Sequence, residues 1–389
     1  MTFTPDGRRV LVANEGEPPA DPNDDDLRDF ANDVPGSVTI IDLAAGFAGA
    51  VVTQVGFTDF NAGGSRAAEL PAAVRIAPAA TSVANDLEPE YIAVSPDGAT
   101  AYVSLQENNA IAVIDIASGR VSRIVALGLK DHGLLANALD ASDRDGLDIA
   151  PEAGVFGLAM PDGIDVYSVQ GRDYVLTANE GDSRDDVDEC GIGDFATLAP
   201  VFAGRDADEE LGRIDFICDL AADTDNDGDI DQLVVFGARS FSVVGPMGVV
   251  ADSGDDFERI TAHRDQLDGS LVFNASNDNA TRENRSDNKG PEPEGVVAGR
   301  IGGRDYAFIG LERVGGIMVY DISNPRLPRF VTYVNNRDFG VDQEGGNAGD
   351  LGPEGLVFIP AADSPNGEDL LVVGNEVSGT VTVYRIALD

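Results

Sequence analysis

Acidic residues recur at two fixed places in a repeated pattern of short, alternating segments. In four places a proline and an acid open one alternating segment, and a glutamate closes the next alternating segment along the chain. A fifth closing glutamate lies near the N-terminus. The opening acids are Glu90, Asp162, Glu294 and Glu354, and the closing glutamates are Glu15, Glu107, Glu180, Glu312 and Glu376. If the strands that carry these acids surround a common channel, the carboxylates face one another and repel unless they bind cations or share protons. Oxygen ligands of flexible geometry favour Ca²⁺, with Mg²⁺ as the alternative, over zinc. The other interpretation is that these acids accept backbone N–H bonds and are structural.

A second acidic pattern predicts a separate calcium loop. Residues 223–231 place oxygen ligands at loop positions 1, 3, 5 and 9 and a glycine at position 6, where a calcium loop turns sharply. The glutamate that a helix-loop-helix hand carries at position 12 is replaced by Val234, and a strand pattern follows. We therefore expect a calcium site at a hairpin. Its predicted ligands are Asp223, Asp225, Asp227, Asp229 and Asp231.

Arginines stand beside several of these acids in a chain that has few cations. A guanidinium group next to bound Ca²⁺ would make a local anion site suited to phosphate. The alternative is that each arginine neutralises a neighbouring carboxylate. The first interpretation predicts a catalytic set of Glu180, Arg184, Arg239, Glu312 and Arg313.

Composition excludes several other functions. The chain has 389 residues with 26 Lys plus Arg against 69 Asp plus Glu, a formal net charge of −43, which disfavours nucleic acid and anionic membranes. No run of apolar residues is long enough to cross a membrane. The two histidines, His132 and His263, lie in unrelated contexts, so a histidine-rich zinc site or a histidine-based triad is not expected.

The strands that must position these acids form a repeat. Each unit has three or four short alternating segments, which is typical of a propeller blade, so we predict an all-β fold with a single β-propeller domain over residues 1–389. Six blades are recognisable, one of them a divergent unit through Leu233–Val244. Phe3-Thr-Pro-Asp-Gly7 aligns with Val94-Ser-Pro-Asp-Gly98 of the second repeat, so the chain begins in the middle of a blade. We therefore expect a longer gene product, with seven or eight blades in a full-length relative and a signal peptide upstream.

The two cysteines, Cys190 and Cys218, leave two possibilities open. They form a disulfide if the compartment is oxidising, and they are free thiols otherwise.

Long motifs resemble the choice-of-anchor I family. They include Asn85-Asp-Leu-Glu-Pro-Glu90, Thr177-Ala-Asn-Glu-Gly-Asp-Ser-Arg184 and Gly290-Pro-Glu-Pro-Glu-Gly295. Members of this family are secreted or surface-anchored bacterial β-propellers, with atypical alkaline phosphatases of cyanobacteria among their relatives. The resemblance implies an extracellular, cell-surface or periplasmic calcium-binding propeller.

Together these patterns predict a Ca²⁺-dependent phosphoester hydrolase of alkaline-phosphatase type that acts on a small phosphoester. The rival hypothesis is a non-catalytic adhesion module that binds an extracellular ligand and uses calcium structurally. A third is a lactonase-like esterase with calcium in its channel. The sequence does not define the oligomeric state.

Overall fold

The computed structural model describes residues 1–21, 24–183 and 189–387, and antiparallel sheets dominate it. Five sheets follow one another along the chain as propeller blades, here numbered 1 to 5, with the strands numbered in chain order. The predicted β-propeller class is confirmed. No helix in the described ranges is both long enough and apolar enough to cross a membrane.

The innermost strand of each blade comes first in the chain. Blade 1 contains β1 (Thr2–Phe3), β2 (Arg9–Asn14), β5 (Ser37–Asp42) and β6 (Val51–Gly56). Blade 2 contains β7 (Pro89–Val94), β8 (Thr100–Leu105), β9 (Ala110–Asp115) and β10 (Arg120–Ala126). Blade 3 contains β15 (Ile164–Val169), β16 (Arg172–Asn179), β20 (Ser240–Gly245) and β21 (Gly248–Asp252). Blade 4 contains β22 (Pro293–Ile301), β23 (Arg304–Leu311), β24 (Ile317–Asp321) and β25 (Arg329–Val334). Blade 5 contains β26 (Pro353–Ile359), β27 (Leu370–Asn375) and β28 (Thr380–Arg385).

Alternating strands of the middle blades bury both of their faces because blades 2, 3 and 4 each pack between two others. In β8, Val103 and Leu105 enter the core shared with blade 1, whereas Tyr102 enters the core shared with blade 3. Each such side chain contributes about 1.5–3 kcal/mol when it is fully buried. Consecutive blades therefore pack in chain order through their hydrophobic cores.

The hairpin that joins the two innermost strands has the same geometry in blades 1 and 2. The Thr4 hydroxyl donates to Asp6 at 2.7 Å, and the Ser95 hydroxyl donates to Asp97 at 2.6 Å. The following glycines, Gly7 and Gly98, have φ of 67° and 71°, which only glycine adopts readily. The alignment of the N-terminal segment with the second repeat is thus correct in structure as well as in sequence.

An additional five-stranded sheet is built from the two connections on either side of β15 and β16. Its order is β11 (Leu129–Asp131), β14 (Val155–Leu158), β19 (Leu233–Phe236), β18 (Phe216–Ile217) and β17 (Glu189–Cys190), with β14 and β19 parallel. Two-stranded ribbons are formed by β3 (Ala20–Asp21) with β4 (Asp24–Arg28) and by β12 (Leu139–Asp140) with β13 (Ile149–Ala150). Two α-helices, α1 (Val83–Asp86) and α2 (Asp256–Asp268), lie in connections.

The predicted sixth, divergent blade is wrong, because its two strands belong to different sheets. Leu233–Val244 is not one repeat, because β19 belongs to the additional sheet and β20 is the third strand of blade 3. The chain leaves one sheet for the other at Gly237, where φ is 74°. Gly237 lies so close to Gly181 that a Cβ on Gly181 would be 2.0 Å from the Gly237 nitrogen. The alternating pattern continues across this point, so periodicity alone did not reveal the break.

Cys190 and Cys218 form a disulfide, which resolves the open question about these thiols. It joins β17 to the turn after β18, within the additional sheet.

Candidate functional site

The opening acids lie where the innermost strands begin. Glu90, Glu294 and Glu354 are each the second residue of their strand, and Asp162 lies two residues before β15. The register of β7, β22 and β26 shifts just at these residues, as it does at a β-bulge. A bulge re-aims the side chain it carries. The closing glutamates follow the second strand of each blade, which is antiparallel to the first, so both sets lie at the same end of the channel.

Nine acidic residues form three clusters, each with carboxylate oxygens within 4.8 Å of one another. The first cluster is Glu15, Glu88 and Glu107, the second is Glu180, Glu292 and Glu312, and the third is Glu294, Glu354 and Glu376. Each cluster draws on two neighbouring blades: 1 and 2, 3 and 4, and 4 and 5, respectively. The structure thus brings together seven of the nine predicted channel acids and adds two others.

The two added acids are Glu88 and Glu292, which sequence reasoning missed. They are 1% and 0% exposed, respectively. A signal was present, since each precedes the proline of a Glu-Pro-Glu motif whose second glutamate is an opening acid. The proline places the first glutamate beside the closing glutamate of its own blade and the second at the start of the strand.

Glu90, Asp162 and Glu294 are half-buried at the channel end and repel each other. Burial, and then the charge of Asp162, raises the pKa of Glu90 to about 10. Burial, and then the charge of Glu312, raises the pKa of Glu294 to about 10, and the pKa of Asp162 is likewise raised by burial and by Glu180. Within the described residues, one buried oxygen of Glu90 and one of Glu294 have no hydrogen-bond partner. These are the properties of carboxylates that need a cation or protons.

The second cluster differs because basic side chains surround its centre. Arg285 donates to Oε1 of Glu292 at 2.5 Å, Arg313 Nε donates to Oε2 at 3.0 Å, and Lys289 Nζ lies 3.7 Å from Oε2. Although burial alone would raise it, the pKa of Glu292 is lowered by Lys289, Arg285 and Arg313. In this cluster internal cations already compensate much of the negative charge.

The other two acids of this cluster keep raised pKa values. Burial raises the pKa of Glu180 to about 7, and Gln106 donates to Glu180 at 2.9 Å. Burial, followed by the charge of Glu292, raises the pKa of Glu312 to about 8. A carboxylate whose pKa is near 7 can exchange a proton at neutral pH, as a general base must.

Of the three predicted catalytic arginines, the structure places one at the channel. Arg313 lies between Glu292 and Glu312. Arg239 is instead buried next to the additional sheet, where it donates to Glu258 and to the carbonyl oxygens of Asp140 and Ser286. Its guanidinium is engaged by protein groups, so it is not positioned to hold a ligand. Arg184 lies outside the described residues.

The predicted calcium loop is exposed and separate from the channel. Asp223, Asp225 and Asp231 bring carboxylate oxygens within 4.8 Å of one another, whereas Asp227 and Asp229 lie outside this group. Asp223 also accepts backbone N–H bonds from residues 226 and 228 at 2.6 and 3.0 Å. The loop leads directly into β19, so a strand follows it, as predicted.

The fold and the carboxylate clusters define a β-propeller with an acidic channel end. Residues 1–325 match the choice-of-anchor I domain, and the chain belongs to that family. Its disulfide is of a kind that persists in oxidising compartments.

Two relatives are similar over part of the chain. Gigasin-3a of Magallana gigas is 30% identical over 169 residues, which are 41% of this chain and 60% of that protein. The mesenchyme-specific cell surface glycoprotein of Strongylocentrotus purpuratus is 27% identical over 275 residues, 61% of this chain and 35% of that protein. The chain therefore spans between about a third and three fifths of the length of these relatives.

Some solved structures are distantly similar to the chain. The periplasmic gluconolactonase PpgL of Pseudomonas aeruginosa has a TM-score of 0.35 and 14% identity, covering 98% of this chain and 79% of its own. The Cps50 (Swd1) propeller of Myceliophteria thermophila has a TM-score of 0.32 and 9% identity, covering 99% and 82%. Likenesses this distant carry no inference about activity.

Proposed function

We propose that the protein is an extracytoplasmic, cation-binding propeller and that Ca²⁺ binds at the third cluster, with Mg²⁺ as the weaker alternative. The observation that carries this proposal is the convergence of Glu294, Glu354 and Glu376 within 4.8 Å. None of these three side chains is paired with a basic residue in the described part of the chain. Burial and then neighbouring carboxylates raise the pKa values of Glu294 and Glu354, and a hard cation with several oxygen ligands would remove the repulsion among the three carboxylates.

Calcium titration by calorimetry tests this proposal. The double variant Glu294→Gln/Glu354→Gln should weaken binding at one site by about tenfold or more, because it removes two charged ligands. Glu344→Gln, an exposed glutamate in a connection, is the matched control for loss of charge and should bind as the wild type does. Unchanged binding by the double variant would exclude the third cluster.

We propose the exposed loop as a second, independent Ca²⁺ site. Asp223→Asn/Asp225→Asn should remove one site from the titration and leave the channel site intact, because the loop and the channel share no residue. Retention of the full stoichiometry by this variant would show that the loop binds no cation.

A second candidate function is hydrolysis of a small phosphoester at the same end of the channel. The observation that favours it is the raised pKa of Glu180, about 7, in a cluster that also contains Arg313. In this mechanism Glu180 accepts the proton of the water that attacks phosphorus, Gln106 holds the carboxylate in place, and Arg313 pairs with phosphoryl oxygens. The ester P–O bond breaks as the new P–O bond forms, and the leaving alkoxide takes up a proton from solvent water. Bound Ca²⁺ would supply Lewis acidity.

Turnover of a chromogenic phosphomonoester, with and without EDTA, separates the hydrolase from an adhesion module. The hydrolase predicts Ca²⁺-dependent turnover that falls by about 10²-fold or more in Glu180→Gln. A protein that binds Ca²⁺ but gives no turnover on phosphate or on lactone and other ester substrates is instead the non-catalytic module.

A further inference from the structure

A cavity of about 140 Å³ lies between blades 2 and 3, and among the described residues it shares none with the acidic clusters. Most of its apolar lining belongs to the hydrophobic core between these two blades. The apolar side chains come from both blades: Ile111, Val113 and Val125 from blade 2, and Val175, Val244 and Pro246 from blade 3. A cavity of about 150 Å³ in a protein core holds one benzene molecule, so this cavity has room for one small ring.

Two arginines lie at the rim of this cavity, Arg123 from blade 2 and Arg172 from blade 3, and both side chains are exposed. Ion pairs engage most arginines of the chain, but in its described part neither of these two forms one. Asp173 also lines the cavity, but its carboxylate accepts hydrogen bonds from the hydroxyl groups of Tyr102, at 3.1 Å, and Ser168. The two guanidinium groups are therefore available to an anion.

A β-bulge in β10 turns Arg123 toward the cavity. The register of β10 against β9 shifts between Val121 and Arg123, which leaves Ser122 as the extra residue. Val121 and Ile124 therefore both enter the core shared with blade 1, whereas Arg123 and Val125 line the cavity. In a regular strand Arg123 would lie on the same face as Val121. Without the bulge, one strand could not bury Val121 against blade 1 and present Arg123 to blade 3.

We propose that this cavity binds a small anion with a single apolar ring. The ring lies against the valines of the two blades, and the acid group lies between Arg123 and Arg172. Guanidinium groups donate charge-assisted hydrogen bonds that match the geometry of a carboxylate, sulfonate or phosphate. The site is independent of the acidic channel end and of any cation bound there.

The chemistry of the ligand follows from the two parts of the site. The cavity is apolar, so a ring that enters it removes apolar surface from water. The formal net charge of the protein is −43, which repels anions from its surface in general, whereas two guanidinium groups attract them at this rim. An anion without a ring uses only the arginines, and an uncharged ring uses only the cavity. The site therefore selects a ligand that carries both.

Benzenesulfonate is the probe, because it has one ring, a permanent negative charge and no ester bond. Ligand-detected NMR should show saturable binding to the full chain. Arg123→Gln and Arg172→Gln should each raise the dissociation constant by about tenfold, because each removes a charged hydrogen-bond donor. Arg329→Gln is the matched control and should bind as the wild type does, since Arg329 is an exposed arginine on an outermost strand that does not line the cavity.

Two further probes separate the parts of the site: sulfate has the charge without the ring, and benzyl alcohol has the ring without the charge. Each should bind at least about tenfold more weakly than benzenesulfonate. The proposal is overturned if benzenesulfonate does not bind saturably, if both arginine variants bind it as the wild type does, or if either partial probe binds equally well. None of these measurements depends on Ca²⁺, so they leave the proposed function to its own tests.

Discussion

Arg239 provides the sharpest test of whether a conspicuous arginine acts on a ligand or on the fold. Its side chain is 5% exposed and donates to Glu258 at 2.7 Å, and Glu258 is itself 1% exposed. Arg239→Met keeps the length of the side chain but leaves the Glu258 charge buried without its partner. Breaking a buried ion pair in this way costs about 3–5 kcal/mol. The carbonyl oxygens of Ser286 and Asn288 lose their donor as well.

Urea unfolding followed by circular dichroism measures this loss, and Arg313→Met is the matched comparison. Arg313 is 27% exposed, and Glu292 keeps Arg285 and Lys289 when Arg313 is removed. We therefore expect Arg313→Met to lose no more than about 1 kcal/mol. The double variant Arg239→Met/Glu258→Met should recover part of the stability, because no charge remains buried.

The reasoning fails if Arg239→Met unfolds within about 1 kcal/mol of the wild type. If that stable variant also lost Ca²⁺-dependent turnover, Arg239 would be a catalytic residue, as the sequence suggested.

Three further predictions concern the stability of the fold. Burial and a neighbouring glutamate raise the pKa of Asp140 to about 7, so protonated Asp140 stabilises the folded state. This stabilisation is fully present below the pKa that Asp140 has in the unfolded chain, and it is lost as the pH rises through 7. In the wild type the free energy of unfolding in urea should therefore fall by up to about 1.4 kcal/mol per pH unit between pH 4 and 7, and Asp140→Asn should abolish this dependence. Identical slopes in the two proteins would contradict the prediction. Cys190→Ser/Cys218→Ser removes a cross-link with a sequence separation of 28 residues and should lose about 3–4 kcal/mol. An equal midpoint of unfolding with and without reductant would argue against that loss. Gly181→Ala puts a Cβ 2.0 Å from a backbone nitrogen and should lower the free energy of unfolding by more than about 3 kcal/mol. Gly171→Ala is the control, because Gly171 also has a positive φ but open space around it, and it should lower the free energy of unfolding by about 1 kcal/mol. Equal shifts of the melting temperature in the two variants would refute the steric argument.

The repeated spacing of acids was sufficient to predict where the channel carboxylates gather. Glu294, Glu354 and Glu376 converge because an acid at the start of one strand and a glutamate at the end of its antiparallel neighbour must share one end of a blade. Glu292 was not predicted, since its role depends on the proline that separates it from Glu294. The sequence shows the motif but not the direction of either side chain.

The additional sheet could not be predicted from pattern. Its parallel pair, β14 with β19, joins segments on either side of two blade strands, and β17 and β18 have two residues each. Periodicity is not measurable over such short strands. The buried role of Arg239 depends on the same region, because Asp140, Ser286 and Glu258 come from three different parts of the chain.

Each carboxylate cluster spans the boundary between two blades, and this gives the channel end a mechanical property. Charge at Glu180, on blade 3, and at Glu312, on blade 4, acts across a joint between two rigid sheets. Repulsion at such a joint tends to splay the sheets, and neutralisation tends to draw them together. A substitution at one of these glutamates therefore acts on the contact between two blades and not on one blade alone.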